Sequence, residues 1–312
     1  MLAAALFATI AFFASSVAAQ QAVPSGTIET FPAGENPWGL AFDGENVYVT
    51  NNSFDDSTVT KLRASDGALL GTFPLPGNGA AGITFDGENI WVPNTLSSGV
   101  SKLRASDGAL IGFLTLNNPR EMTFGGANVW VSLKYPGQAA SVAKIRASDV
   151  EVLGVFPAGP EARYLTFDGA NIWVVNIFAE SLTKIRASDG ALLGTFPVGL
   201  HGSNLAGIVF DGGNIWVADS NTGRVFRLRA SDGAYLGQHK VGGEGAWGIA
   251  SDGIHLWVTN FRSDTVVRLA GGDPTQFYPV GDTPRGVLFD GTSIWVANNG
   301  SDTVTKITLN QP

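Results

Sequence analysis

Short runs of alternating apolar and polar residues follow one another along almost the whole chain, and none shows apolar positions at helical spacing between caps. One order of runs keeps returning. A G-I-x-F run such as Gly82–Phe85 meets an Asp-Gly pair, then an N-I-W-V-x-N run. A V-x-K-L-R run such as Val59–Arg63 follows, then Ser-Asp-Gly, then an L-L-G-T-F-P run such as Leu69–Pro74. β-Branched and aromatic residues fill the runs while Gly, Asp, Asn and Pro separate them, which predicts four short strands joined by tight turns. The Asp-Gly pairs predict hairpins of type I′, whose two central residues need positive φ.

The unit recurs seven times, from FDGENVYVTN at Phe42 and FDGENIWVPN at Phe85 to FDGTSIWVAN at Phe289. Its aromatic position falls at Tyr48, Trp91, Trp130, Trp173, Trp216, Trp257 and Trp295, spaced 38 to 43 residues apart. That period suits a propeller blade and is too long for leucine-rich or ankyrin units. Four strands repeated seven times predict an all-β, seven-bladed β-propeller of four-stranded antiparallel blades over residues 20–312. The two ends agree with this. Gly26–Gly34 reads as an outer strand with no first three, and Thr303–Leu309 as a third strand with no fourth. Together they complete the last blade and close the ring, which removes exposed sheet edges.

Composition narrows the setting. The chain has 312 residues, a formal net charge of −8 and no cysteine. The negative charge disfavours nucleic acid and anionic membranes as partners, and disulfides and thiolate chemistry are excluded. The uncharged, apolar stretch at residues 1–19 ends in Val17-Ala18-Ala19, small residues at the spacing of a signal-peptidase site. A signal peptide cleaved after Ala19 and a periplasmic or secreted protein follow as expectations. No other segment is long and apolar enough to span a membrane, and a closed propeller needs no second copy, so a monomer is expected.

Comparing the seven units separates structural residues from candidates for chemistry. What nearly every blade carries serves the blade; what breaks the pattern is free to serve a ligand. The repeated Trp and Tyr rings are expected between neighbouring sheets. Lys61, Lys102, Lys144, Lys184, Arg227, Arg268 and Lys306 share one place on the third strand, and are expected to pair across strands or blades with turn carboxylates. The R-A-S-D sequence, present in five blades, reads as turn chemistry, and the Asp-Gly turns lack the alternating ligands of a calcium loop. His201, His239 and His255 show no metal-ligand spacing, so neither a metal nor another cofactor is expected.

The pattern breaks where the innermost strands begin, positions that converge on one mouth of the central channel. Trp38, Arg120, Arg163, Trp247 and Arg285 stand where other blades have alanine. Glu121 and Tyr164 replace a glycine that the other five blades keep. Guanidinium forks and aromatic faces around one opening suit a ligand that is planar, anionic or both. The competing reading is a plug, in which these side chains fill the channel and pair with Glu121 or Asp219.

Tyr48-Val49-Thr50-Asn51 spells the sequence that names the YVTN-family β-propeller repeat, and the whole mature chain resembles that family. It is similar also to the virginiamycin B (streptogramin) lyases, seven-bladed propellers with a G-I-T…W-F-x-E repeat. The first resemblance implies an exported propeller with a binding role. The second implies catalytic His residues at the channel mouth, Glu residues and magnesium. The corresponding mouth positions here are Trp38, Ala81, Arg120, Arg163, Ala206, Trp247 and Arg285, with no His among them. The second strands end in Asn51, Asn94, Leu133, Asn176, Asp219, Asn260 and Asn298, with no Glu. The expectation is therefore a non-enzymatic binding propeller for a small ligand, peptide or envelope protein. The alternatives are a lyase-like or hydrolytic enzyme with displaced catalytic residues, and a structural or adhesive surface scaffold.

Overall fold

The computed structural model describes residues 26–134 and 140–309; the expected signal peptide lies outside them. Seven four-stranded antiparallel sheets are arranged as a ring, and the described residues contain no helix. In six sheets the strands follow chain order from the channel outward. In the seventh, Gly26–Pro32 pairs antiparallel with Thr303–Leu309, from Gly26 opposite Leu309 to Pro32 opposite Thr303. The ring thus closes as the two incomplete ends predict.

The turn chemistry differs by one residue from the sequence expectation. In the first blade Phe42 pairs with Val47, and the Asp43 N–H bonds the Asn46 carbonyl, so Gly44 and Glu45 are the central pair. Gly44 alone has positive φ, at 102°, the pattern of a II′ turn. Asp43 serves instead as an acceptor: one carboxylate oxygen takes the N–H groups of Glu45 and Asn46, and the other takes the Tyr48 hydroxyl at 2.8 Å. Trp91, Trp173, Trp216, Trp257 and Trp295 donate their indole N–H to the matching Asp at 2.7–2.9 Å. Blade three shows what the carboxylate does. Gly125 replaces the Asp there, the Trp130 indole N–H has no partner, and both Gly126 (61°) and Ala127 (67°) turn to positive φ, the I′ pattern. With no carboxylate to collect the turn's N–H groups, the hairpin adopts the other primed geometry.

The conserved place on the third strand is an interblade latch. Lys306 Nζ donates to the carbonyls of Ala64 (2.7 Å) and Ser65 (2.9 Å) in the R-A-S-D turn of the next blade. Lys61, Lys144 and Lys184 do the same to their neighbours, and Lys102 donates to the Ala147 carbonyl. Each ammonium also lies 4.8–5.4 Å from the centre of its blade's Trp or Tyr ring. The expected carboxylate partner is therefore replaced by backbone oxygen. The turn's Asp pairs within its own turn, as Arg63 with Asp66 at 3.0 Å. At two joints the next blade lacks the R-A-S-D turn and Lys has become Arg227 or Arg268, and no such link is made among the described residues. Packing repeats the same logic: Phe73 lies over Gly108 of the next blade, where an added Cβ would fall 2.1 Å from the ring.

Candidate functional site

A bulge at the start of the inner strands builds the channel mouth. In blade one Pro37 pairs with Asn51 and the next register partner is Leu40 with Val49, so Trp38 and Gly39 together oppose Thr50. Blades three to seven repeat this slip. Such an insertion bends the strand and re-aims side chains, here toward the axis. Thr50 satisfies the bulge: its hydroxyl accepts the Gly39 N–H at 2.9 Å and donates to the Ala81 carbonyl of the next blade at 2.7 Å. Ser132 and Thr259 make the same links to Arg163 and Arg285.

Five blades keep glycine at the second bulge position because the ring is tight there. A Cβ on Gly248 would fall 2.2 Å from the Arg285 carbonyl oxygen, and one on Gly286 would fall 2.5 Å from that of Trp38. Glu121 and Tyr164 are the two departures, and both side chains enter the space. All seven inner strands line a channel cavity of about 210 Å³ whose wall includes Trp38, Glu121, Tyr164, Trp247 and Arg285. Leu40, Ile83, Met122 and their counterparts add an apolar belt.

Of the seven residues singled out in the sequence, these five share the cavity wall. Arg163 stands just outside it, its guanidinium 5.8 Å from the Trp38 ring centre and 5.1 Å from that of Tyr164. Arg120 also lies outside, and burial together with the like charge of Arg163 pulls its pKa down. Sequence comparison missed Phe261. It follows the second strand of blade six, where other blades carry residues as different as Asn52 and Ile177, so no repeat marks it as an exception. Its ring centre lies 4.6 Å from the Arg285 guanidinium and 5.4 Å from the Trp247 ring.

Arg285 lies among aromatic rings, its guanidinium 4.2 Å from the Trp247 ring centre and 5.2 Å from that of Trp38. Trp38 and Trp247 meet edge to face at 6.1 Å, as do Tyr164 and Trp247 at 6.2 Å. What Arg285 lacks is an acceptor. Among the described residues its Nε and Nη1 are covered without a partner, and Arg120 Nε, Arg163 Nε and the Tyr164 hydroxyl are likewise unpaired. Glu121 accepts one hydrogen bond, from the Trp38 indole at 3.3 Å, and no guanidinium lies within 4.0 Å of its carboxylate. Burial pushes the Glu121 carboxyl above the ordinary Glu range, against the pull of Arg163 and Arg120. Burial also raises the Tyr164 phenol to about 12, so it stays a donor.

The plug reading requires pairing that these side chains do not make. Asp219 is bound to Ser203, Asn204, Asn221 and Thr222 instead. The Asn ring at the ends of the second strands belongs to the blades: Asn51 donates to Thr58 and Thr60 and accepts from Gly34. His239 stacks on Trp216 and His255 replaces the turn Asn beside Asp252. Among the described residues no three His, Asp or Glu side chains stand close enough to share a metal ion.

Solved structures are similar to this chain over nearly their full length. A structure titled Streptogramin B lyase matches it with a TM-score of 0.77 at 19% identity, covering 91% of this chain and 98% of the other. Kuenenia stuttgartiensis Hydrazine Synthase matches with a TM-score of 0.75 at 17% identity, covering 94% and 98%. No protein-family model and no curated protein matches the chain. At these identities the likeness carries the fold and leaves function to the site.

Proposed function

We propose that this protein is an exported, non-enzymatic binding propeller that holds a small carboxylate-bearing ligand in the channel mouth. One observation carries the reading: Arg285 reaches the cavity as a charged group that donates to no acceptor among the described residues. Arginine stays protonated in proteins, and each buried donor left unpaired costs about 1–3 kcal/mol. A ligand carboxylate removes that cost and gains a charge-assisted bond. Two neighbouring guanidinium groups, in a chain whose net charge is −8, concentrate positive potential at this opening. Size sets the ligand class, since about 210 Å³ lies below the roughly 300 Å³ at which sites for drug-sized molecules begin. The export part of the proposal rests on the apolar leader and Val17-Ala18-Ala19. The resemblance of Tyr48–Asn51 to the YVTN repeat agrees with it.

The test is a thermal-shift screen of short carboxylates against the mature protein and a variant with Arg120, Arg163 and Arg285 changed to Ala. Binding to the native state raises apparent stability, so some carboxylates are expected to raise the wild-type melting temperature and none that of the variant. A variant that melts far below the wild type, paired with a wild type that responds to no carboxylate, would favour the plug.

A further inference from the structure

The cavity wall carries two opposite charges that do not meet. Arg285 supplies the positive group, and Glu121 the negative one, on an inner strand where five blades have glycine. Glu121 is also given room. Its Oε2 lies 2.3 Å from where a Cβ on Gly82 would stand, so it occupies space that only a glycine in blade two leaves open. One of its oxygens takes the Trp38 indole, and the other has no donor among the described residues. A half-buried carboxylate with a single neutral protein donor is under-served, and the three nearby arginines come no closer than 4.0 Å. Such a group gains most from an N–H cation entering the cavity.

We propose that the ligand is a zwitterion, a small amino acid whose carboxylate meets Arg285 and whose ammonium meets Glu121. This deepens the carboxylate reading and rests on it. An ammonium with N–H donors satisfies the open oxygen of Glu121, while the flat guanidinium receives the carboxylate. The raised proton affinity of Glu121 in the empty cavity fits the same picture, because an arriving cation offsets the penalty that burial places on its charge.

Calorimetry with two matched series tests it: glycine, β-alanine, 4-aminobutyrate and 5-aminovalerate against acetate, propionate, butyrate and valerate. At the chain length that spans both groups, the amino acid is expected to bind about tenfold or more tightly than its carboxylate, the scale of one added bond to a charged group. Glu121→Gln should bring the pair within about twofold by weakening the amino acid, while the simple carboxylate, relieved of a like charge on the same wall, binds no more weakly than before. Should Glu121→Gln fold poorly, Glu121→Gly restores the residue of the other five blades and serves as the second variant. Carboxylates that bind with no amino-acid advantage at any length overturn the zwitterion and leave the carboxylate site standing. An equal loss for both series in the variant also overturns it, because Glu121 is then only positioning the wall. Silence from both series overturns the zwitterion and the carboxylate site together.

Discussion

Replacing Lys306 with methionine removes the latch that joins the seventh blade to the first while keeping most of the side-chain volume. The ammonium donates to two carbonyls at 2.7 and 2.9 Å and lies 5.4 Å from the Trp295 ring centre, in a side chain only 5% exposed. Hydrogen bonds to a charged group contribute about 1.5–3 kcal/mol. Ser65 is exposed, so water can serve its carbonyl once the lysine is gone, and the desolvation cost of the ammonium disappears with it. The expected net loss is therefore about 2 kcal/mol, or about 4 °C in a chain of this size. Arg227→Met is the internal control, because Arg227 sits at the same strand position and among the described residues its Nε has no hydrogen-bond partner. It should lose about 1 °C or less. Urea melts followed by tryptophan fluorescence, run beside thermal scans, compare the two variants. Equal destabilisation would refute the latch and reduce the recurring lysine to a solvated strand residue.

Two further expectations concern the channel and a third the hairpin turns. Glu121→Gln should stabilise the ligand-free protein at neutral pH and have no effect in acid. Its folded pKa is raised, so protonated Glu121 costs nothing below the ordinary Glu value, and stability is lost as pH rises through the folded pKa. Melting temperatures from pH 3 to 8 check the sign, and a variant that gains stability only in acid would reverse it. Gly248→Ala should destabilise by several kcal/mol, since the new Cβ meets the Arg285 carbonyl at 2.2 Å and Thr259 Oγ1 at 3.0 Å, and backbone has no rotamer to yield. Calorimetric melting reads it directly. Asp290→Ala should cost about 2–3 kcal/mol, because the carboxylate takes the N–H groups of Thr292 and Ser293 and the Trp295 indole. A loss under about 0.5 kcal/mol in chemical denaturation would show the turn holding its shape without it.

The ring was legible because its physics is local and repeated. Each blade has the same strand order, so seven aromatic positions and two incomplete ends define closure without any long-range contact being known. Turn type was less legible, since Asp43 and Gly44 are adjacent in sequence while the turn centres on Gly44 and Glu45. The side chain of Asp43, acting two and three residues onward, goes with the II′ geometry, while blade three, with Gly125 in its place, centres an I′ turn on the same two positions. Lysine partners were misread for a similar reason: a turn carrying both a carboxylate and two carbonyls offers competing acceptors, and its own arginine takes the carboxylate. At the mouth, substitutions against the repeat pointed to Trp38, Glu121, Tyr164, Trp247 and Arg285. They could not tell which arginines reach the cavity, because that depends on the bulge and on which rings each guanidinium lies against. Phe261 went unseen because its place varies from blade to blade.

The central claim is that a free guanidinium in the channel mouth awaits a carboxylate. A crystal of the protein soaked in valerate tests it most directly, with an Arg285→Gln crystal soaked in parallel. The predicted result is a carboxylate within hydrogen-bond distance of the Arg285 guanidinium, its chain against the Leu40–Ile83 belt, and no such density in the variant. Wild-type crystals with an empty channel, or the same density in both proteins, would contradict it.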